Sequence, residues 1–170
     1  SAVAVCRGIH ALTGCEARIK WPNDVVIGTK KVCGILTELS AEMEHVHYLI
    51  PGIGVNTNNG AFPPELSDRA TSLKMETGQD IRRAVLLGKI LEEFEELYNR
   101  YGVSSFPEEY RSLCVSLGRP VSLQRGGRKL TGTAVGIAPD GALLVRTQEG
   151  EEIAVTSGEV VVQGFYGEKL

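Results

Sequence analysis

Lys20, Asn23, Asp24 and Lys31 fall within one stretch, KWPNDVVIGTKK, beside the only tryptophan of the chain. Asp24 and Asn23 offer oxygen ligands, and magnesium is commonly held by one or two carboxylates plus phosphate and water, so a single aspartate suffices. The same carboxylate can instead take a proton. In the plainest case it bonds its own backbone in a turn. Lys30-Lys31, taken alone, reads as the solvated edge of a hairpin. Trp21 fits either a core or the wall of a site, and Pro22 bends the chain so that Asn23 and Asp24 turn inward. A second group lies in GIGVN. Gly52 and Gly54 at a strand end would let the backbone approach a ligand closely, and Asn56 carries both a donor and an acceptor. A G-x-G by itself also describes a bulged strand.

These groups need elements to hold them. Val5, Ile9 and Leu12 recur at helical spacing and predict a helix over 2–13, with Gly14 as its C-terminal cap and Gly8 as a weak point inside it. A strand over 17–20 is stopped by Pro22. Residues 25–27, the turn Gly28-Thr29, and 32–39 predict a hairpin, followed by a strand over 46–55, in all an antiparallel meander. Residues 56–72, rich in Asn, Pro, Gly and Ser, form the longest irregular stretch and read as a functional loop. Asp80 is expected to cap a helix over 81–101, with Ile81, Val85, Leu87, Leu91, Phe94, Tyr98 and Tyr101 as its apolar stripe. A short helix is expected over 106–113. From Arg119 the period becomes two, predicting strands over 121–124, 130–137, 142–147, 153–155 and 160–162. Gly126-Gly127, Asp140-Gly141 and Glu149-Gly150 are the turns between them. Five short strands in so few residues imply a small barrel or sandwich. The domain boundary falls near residue 113, giving domains 1–113 and 114–170.

The chain has 170 residues and a net charge of −3, which supplies no global basic field for nucleic acid or an anionic membrane. No apolar run approaches the roughly 20 residues of a membrane span. Cys6, Cys15, Cys33 and Cys114 are scattered among apolar residues, as suits a reducing cytoplasm, and form no C-x-x-C pair. His45 and His47 share one strand face but have no evident third ligand, and read as a solvated pair.

KWPND, then a hairpin, GILTEL, GIGVN and a long loop ending in ATSL together resemble biotin protein ligase, over nearly the whole chain. The resemblance implies an α+β fold: a mixed sheet with flanking helices, followed by a small SH3-like β-barrel. It implies ATP-dependent attachment of biotin to a lysine of a carboxylase's biotin carrier domain, through a biotinyl-adenylate. ATP, biotin and Mg2+ would be bound. In that chemistry negative charge develops at the α-phosphate and the leaving pyrophosphate, so fixed cations are the main catalytic need. Lys31, which matches the family lysine at the biotin carbonyl and α-phosphate oxygens, and to a lesser degree Lys20, would supply them. Asp24 would hold the metal or orient the carrier lysine. Trp21, Asn23, Gly34, Gly52, Gly54 and Asn56 would line the ligand site, Asn56 at the nucleotide. The loop from about 58 to 72 would close over the adenylate, with Phe62 and Pro63-Pro64 as an apolar inner face.

No G-R-G-R run precedes KWPND; Arg125-Gly126-Gly127-Arg128 does not match by position. The expectation is therefore a partial catalytic domain that retains the nucleotide and lysine side of the site and lacks much of the biotin side. A non-catalytic dimerisation or binding module on the same scaffold, or a lipoate-type ligase, are the competing readings. The joint presence of Lys20, Asn23, Asp24, Lys31 and Asn56 argues against the first, and KWPND with GIGVN against the second. A homodimer built partly from the sheet at residues 25–55 is also expected, because its outer strand leaves an unpaired edge.

Overall fold

The computed structural model describes residues 1–42, 45–102, 108–125, 128–158 and 160–166. Helix α1 (Ala2–Thr13) buries Val3, Ala4, Val5, Cys6 and Ile9 and ends at Gly14, whose φ of 71° closes the cap onto His10. Gly8 has a packing reason. A Cβ there would lie 2.7 Å from Ile90 Cγ1 and 3.0 Å from the Ile90 backbone nitrogen, so only glycine lets the two helices cross this closely.

Strands β1 (Ala17–Lys20), β2 (Asp24–Ile27), β3 (Lys30–Glu42) and β4 (His45–Val55) pair in chain order, antiparallel throughout. The expected mixed sheet is thus a plain meander among the described residues, because connections this short permit only antiparallel pairing. One face packs on α1. Beyond Ile35, β3 and the first half of β4 extend as a ribbon whose Leu36, Leu39, Val46, Tyr48, Leu49 and Ile50 are exposed.

Two expectations in the middle of the chain are corrected. Asp80 caps no helix; its carboxylate pairs with Lys74 Nζ at 2.7 Å. The long helix α3 spans Arg83–Tyr101 and starts without a side-chain cap at Arg82. A short helix α2 (Leu73–Thr77), not anticipated, precedes it, with Ser72 Oγ accepting from the Met75 amide. The buried face of α3 is Leu86, Ile90 and Leu97, while Leu87, Leu91 and Tyr98 stand exposed. The apolar side of the helix is wider than the face that is covered, and the crossing at Gly8, rather than the spacing of apolar residues, selects which part of it is buried.

Helix α4 (Glu108–Leu113) leads into β5 (Pro120–Arg125), β6 (Arg128–Ile137), β7 (Leu143–Thr147), β8 (Glu152–Val155) and β9 (Val160–Val162). The first two residues of the expected 106–113 helix and the Gly126-Gly127 turn lie outside the described residues. The sheet order is β8-β7-β6-β5-β9, all antiparallel. No closed barrel is found among the described residues: the terminal strands, of four and three residues, pair inward with β7 and β5 and not with each other.

The two sheets share one apolar core that runs from Val5 and Trp21 to Val145 and Val162. Polar contacts stitch the seam. The Val115 amide donates to Ile19 O at 2.8 Å, the Trp21 amide to Ser116 Oγ at 3.0 Å, Trp21 Nε1 to Gly141 O at 2.9 Å, and Tyr110 OH to Pro22 O at 2.8 Å. Trp21, 2 % exposed, is a core residue with a polar tip tied to the second sheet.

Candidate functional site

Register assembles the site. Across the meander Lys20 lies opposite Asp24, Asp24 opposite Gly34, and Gly34 opposite Gly54, so these four residues form one transverse row. Lys31 joins the row through a bulge. Val26 pairs with Lys31 but Val25 pairs with Cys33, which leaves Val32 as the extra residue. In a regular strand residues 31 and 34 would face opposite sides. The bulge reverses that, and it explains why Val32 and Cys33 are both buried although adjacent. Lys31 Nζ then meets Asp24 Oδ1 at 2.5 Å, with side-chain exposures of 40 % and 17 %. Gly34 makes room for this pair: a Cβ there would sit 3.0 Å from both Cε and Nζ of Lys31.

Lys20, Asp24 and Gly34 of this row, with Lys31, floor an open cleft of about 860 Å³, within the range of small-molecule and cofactor sites. Lys20, Trp21, Pro22, Asn23, Asp24, Lys31, Gly34, Ile35, Leu36 and Asn56 line it from the first sheet. Phe62, Leu66, Arg69 and Ala70 come from the 56–72 loop, and Gly158, Val160 and Tyr166 from the second sheet. Lys20, Lys31 and Arg69 against Asp24 leave the lining with two net positive charges, in a chain whose net charge is −3. An anionic ligand suits it.

Each polar group has a defined support. Buried Lys20 donates to Val160 O at 3.1 Å and stands 4.9 Å from the centre of the Tyr166 ring. Asn23 Nδ2 donates to Ile35 O at 2.5 Å, which fixes the turn before β2. Asn56 Nδ2 donates to Thr71 O at 3.1 Å. Burial pushes the Cys33 thiol up to about 12, more than the nearby Lys31 lowers it, so Cys33 is no thiolate nucleophile at neutral pH.

The loop is better anchored than its composition implied. Ala70 bridges to Lys31, with the Lys31 amide donating to Arg69 O at 2.8 Å and the Thr71 amide to Lys31 O at 2.9 Å. Asn58 exchanges two hydrogen bonds with Ile81, and Ser72 Oγ donates to Asn59 O at 2.5 Å. Of the anticipated inner face, Phe62 reaches the cleft; Leu66 rather than Pro63-Pro64 accompanies it.

Of the candidates read from sequence, Lys20, Trp21, Asn23, Asp24, Lys31, Gly34 and Asn56 come together. Gly52 and Gly54 do not line the cleft. They pair on β4 with Leu36 and Gly34, one strand further out, and only at Asn56 does the chain turn back over the floor. As to a metal, no group of three or more His, Cys, Asp or Glu side chains suited to an ion exists among the described residues. Asp24 Oδ1 is held by Lys31 and Oδ2 accepts from Tyr166 OH at 2.7 Å. The chain alone does not fit a resident magnesium ion; a cation carried in by a triphosphate needs no such cage.

Residues 1–56 match the biotin/lipoate A/B protein ligase family, and residues 116–162 match the biotin protein ligase C terminal domain. A bifunctional ligase/repressor BirA from Bacillus spizizenii is 41 % identical over 155 residues, which are 88 % of this chain and 48 % of that protein. The apo structure of biotin protein ligase from Aquifex aeolicus is 35 % identical and superposes with a TM-score of 0.82 over 95 % of this chain and 72 % of that one. The chain belongs to the biotin protein ligase family. It spans about half the length of the curated relatives it matches. The Aquifex biotin protein ligase in complex with biotin and ATP, 34 % identical, has a TM-score of 0.79 over 95 % of this chain and 68 % of that one.

Sequence reasoning missed Arg69 and Tyr166 in this biotin protein ligase fold. Arg69 sits in DRATS with nothing local to mark it, since only the bridge from Ala70 to Lys31 brings it to the cleft. Tyr166 is distant from Asp24 by 142 positions, and the packing of one sheet against the other creates the contact.

Proposed function

We propose that the full-length protein joins biotin to a lysine of a carboxylase's biotin carrier domain, in two steps that share this cleft. The biotin carboxylate attacks the α-phosphorus of ATP, the α–β phosphoanhydride breaks, and pyrophosphate leaves. The carrier amine then attacks the acyl carbon of biotinyl-adenylate, the bond to the phosphate oxygen breaks, AMP leaves, and the amine gives up its proton. ATP enters as its magnesium complex, which brings its own cation.

The observation that carries this reading is the transverse row with its bulge. It puts Lys31 against Asp24 on the floor of a cleft whose lining is net positive. An arriving triphosphate competes with Asp24 for the Lys31 ammonium. That places the cation where charge develops and frees Asp24 Oδ1 for the attacking amine. Lys20 and Arg69 add field from the flanks. Asn56, whose side chain ties the loop to the floor, offers its carbonyl oxygen to the nucleotide. Trp21, Asn23 and Gly34 shape the floor. Biotin, rather than lipoate, is favoured by the match of residues 116–162 to the C-terminal domain of biotin protein ligases. The exposed apolar ribbon of β3 and β4 supports a homodimer joined at that edge. Sedimentation equilibrium giving only monomer at tens of micromolar would dismiss it.

Biotin-dependent exchange of pyrophosphate into ATP tests the first step. Lys31→Ala is expected to lower it about 100-fold or more, the scale for removal of a group that stabilises transition-state charge. Exchange at the wild-type rate in Lys31→Ala would remove Lys31 from the chemistry.

A further inference from the structure

Tyr166 lies in the turn that follows β9, in the second sheet, yet it makes its contacts in the first. Its hydroxyl donates to Asp24 Oδ2 at 2.7 Å, and its amide donates to Thr29 O at 3.2 Å, at the tip of the β2–β3 hairpin. The ring has Lys20 Nζ 4.9 Å from its centre and the Arg69 guanidinium 6.0 Å away. One side chain thus touches three of the four charged residues of the cleft. Its backbone has a φ of 57°, and among the described residues no other non-glycine residue has a positive φ. A conformation of this kind costs free energy and persists where the surroundings enforce it. Here the Thr29 and Asp24 contacts do so.

We infer that Tyr166 is a positioning residue for the transfer step, holding the Asp24 carboxylate in place when Lys31 leaves it for the phosphate. The inference rests on the ligase reading given above. The two carboxylate oxygens have partners of different kinds. Lys31, on Oδ1, is a cation that a phosphate can draw away. Tyr166, on Oδ2, is a neutral donor with no reason to follow it. Burial, together with the hydrogen bond to Asp24, pushes the phenol well above its ordinary range, so it stays a donor at any working pH. With Oδ2 fixed, Oδ1 faces the cleft and takes the proton that the carrier amine releases as its nitrogen attacks the acyl carbon and AMP leaves. A neutral donor also adds no charge that would compete with Lys31 for the phosphate.

The test uses the full-length protein with Tyr166→Phe, which removes the hydroxyl and keeps the ring under Lys20 and Arg69. Two rates are compared: biotin-dependent pyrophosphate exchange, and single-turnover transfer from preformed biotinyl-adenylate to a carrier domain. Hydrogen bonds to charged groups set the scale, so transfer is expected to fall on the order of tenfold more than exchange. In an Asp24→Asn background Tyr166→Phe is expected to cause no further loss. Equal losses in exchange and transfer would mean a merely structural tyrosine and would overturn the inference. So would unchanged transfer, or losses that simply multiply with Asp24→Asn. A wild-type protein without biotin-dependent exchange would overturn the ligase reading and the role of Tyr166 with it, whereas loss of exchange in Lys31→Ala beside normal transfer in Tyr166→Phe would sink the tyrosine alone.

Discussion

Gly34→Ala isolates the geometry of the site from the stability of the fold. The added methyl would stand 3.0 Å from Lys31 Cε and Nζ and 3.8 Å from Asp24 Oδ1. Ordinary carbon contacts lie near 3.5–4.0 Å, so the lysine end must retreat by roughly 0.5–1 Å. It can do so cheaply, because it is the flexible tip of a side chain 40 % exposed. Backbone strain is absent, since Gly34 is not among the residues with positive φ. Replacing glycine also restricts the unfolded chain, worth about 0.4–1 kcal/mol in favour of the fold. The net change in stability should therefore be small, within about 1 kcal/mol. Catalysis should respond far more, because a displacement of about 1 Å at a reacting centre costs on the order of 100-fold. Thermal unfolding and biotin-dependent pyrophosphate exchange, measured on one preparation, separate the two. Wild-type exchange in Gly34→Ala would refute the claim that the room left by Gly34 is what lets the Lys31 ammonium take its place at the phosphate. A large loss of stability would refute the packing argument instead.

Gly8→Ala is expected to destabilise by about 1–3 kcal/mol, since its methyl meets Ile90 backbone at 3.0 Å, whereas Gly88→Ala, open to space within α3, should stabilise by about 0.5–1 kcal/mol. Urea unfolding of both variants checks the contrast. Stability is also expected to fall as pH rises from 9 toward 12. Burial holds the Cys6 and Cys33 thiols up to about 12, so above pH 9 the unfolded chain has lost thiol protons that the fold retains. Each thiol then costs about 1.4 kcal/mol per pH unit, and Cys6→Ala should flatten the decline in urea midpoint. Hydrogen exchange is expected to slow at residues 60–68 when biotin and ATP bind, whereas the Arg69, Ala70 and Thr71 amides are already protected by the bonds they donate to Leu66 O and Lys31 O; equal rates at 60–68 with and without ligand would contradict a closing loop.

What the sequence shows of this fold follows from how local each cause is. Strand and helix periods, Gly14 at the end of α1 and the Gly28 hairpin are local, and α1, the meander and the five later strands are legible from them. The bulge at Val32 is not. Two adjacent apolar residues look alike whether the strand is regular or bulged, so the side chains of Lys31 and Asp24 could be read as candidates but not as a pair. Asp80 resembles a cap, yet Lys74 claims it once α2 forms, and Ser72 caps a helix too short to show a period. The face of α3 is set by its crossing with Gly8, and that is a property of two elements. Trp21, Asn23 and Asn56 were legible as polar neighbours of the motif. Tyr166 and Arg69 were not, because they reach the cleft only through contacts between distant elements.

The central claim is tested most directly by the mass of an apo carrier domain after incubation with the full-length protein, biotin and magnesium–ATP. The account predicts the gain of one biotinyl group on one lysine, dependent on both small molecules and lost in Lys31→Ala. No gain with the wild-type protein, an equal gain with Lys31→Ala, or a gain with lipoate and none with biotin would contradict it.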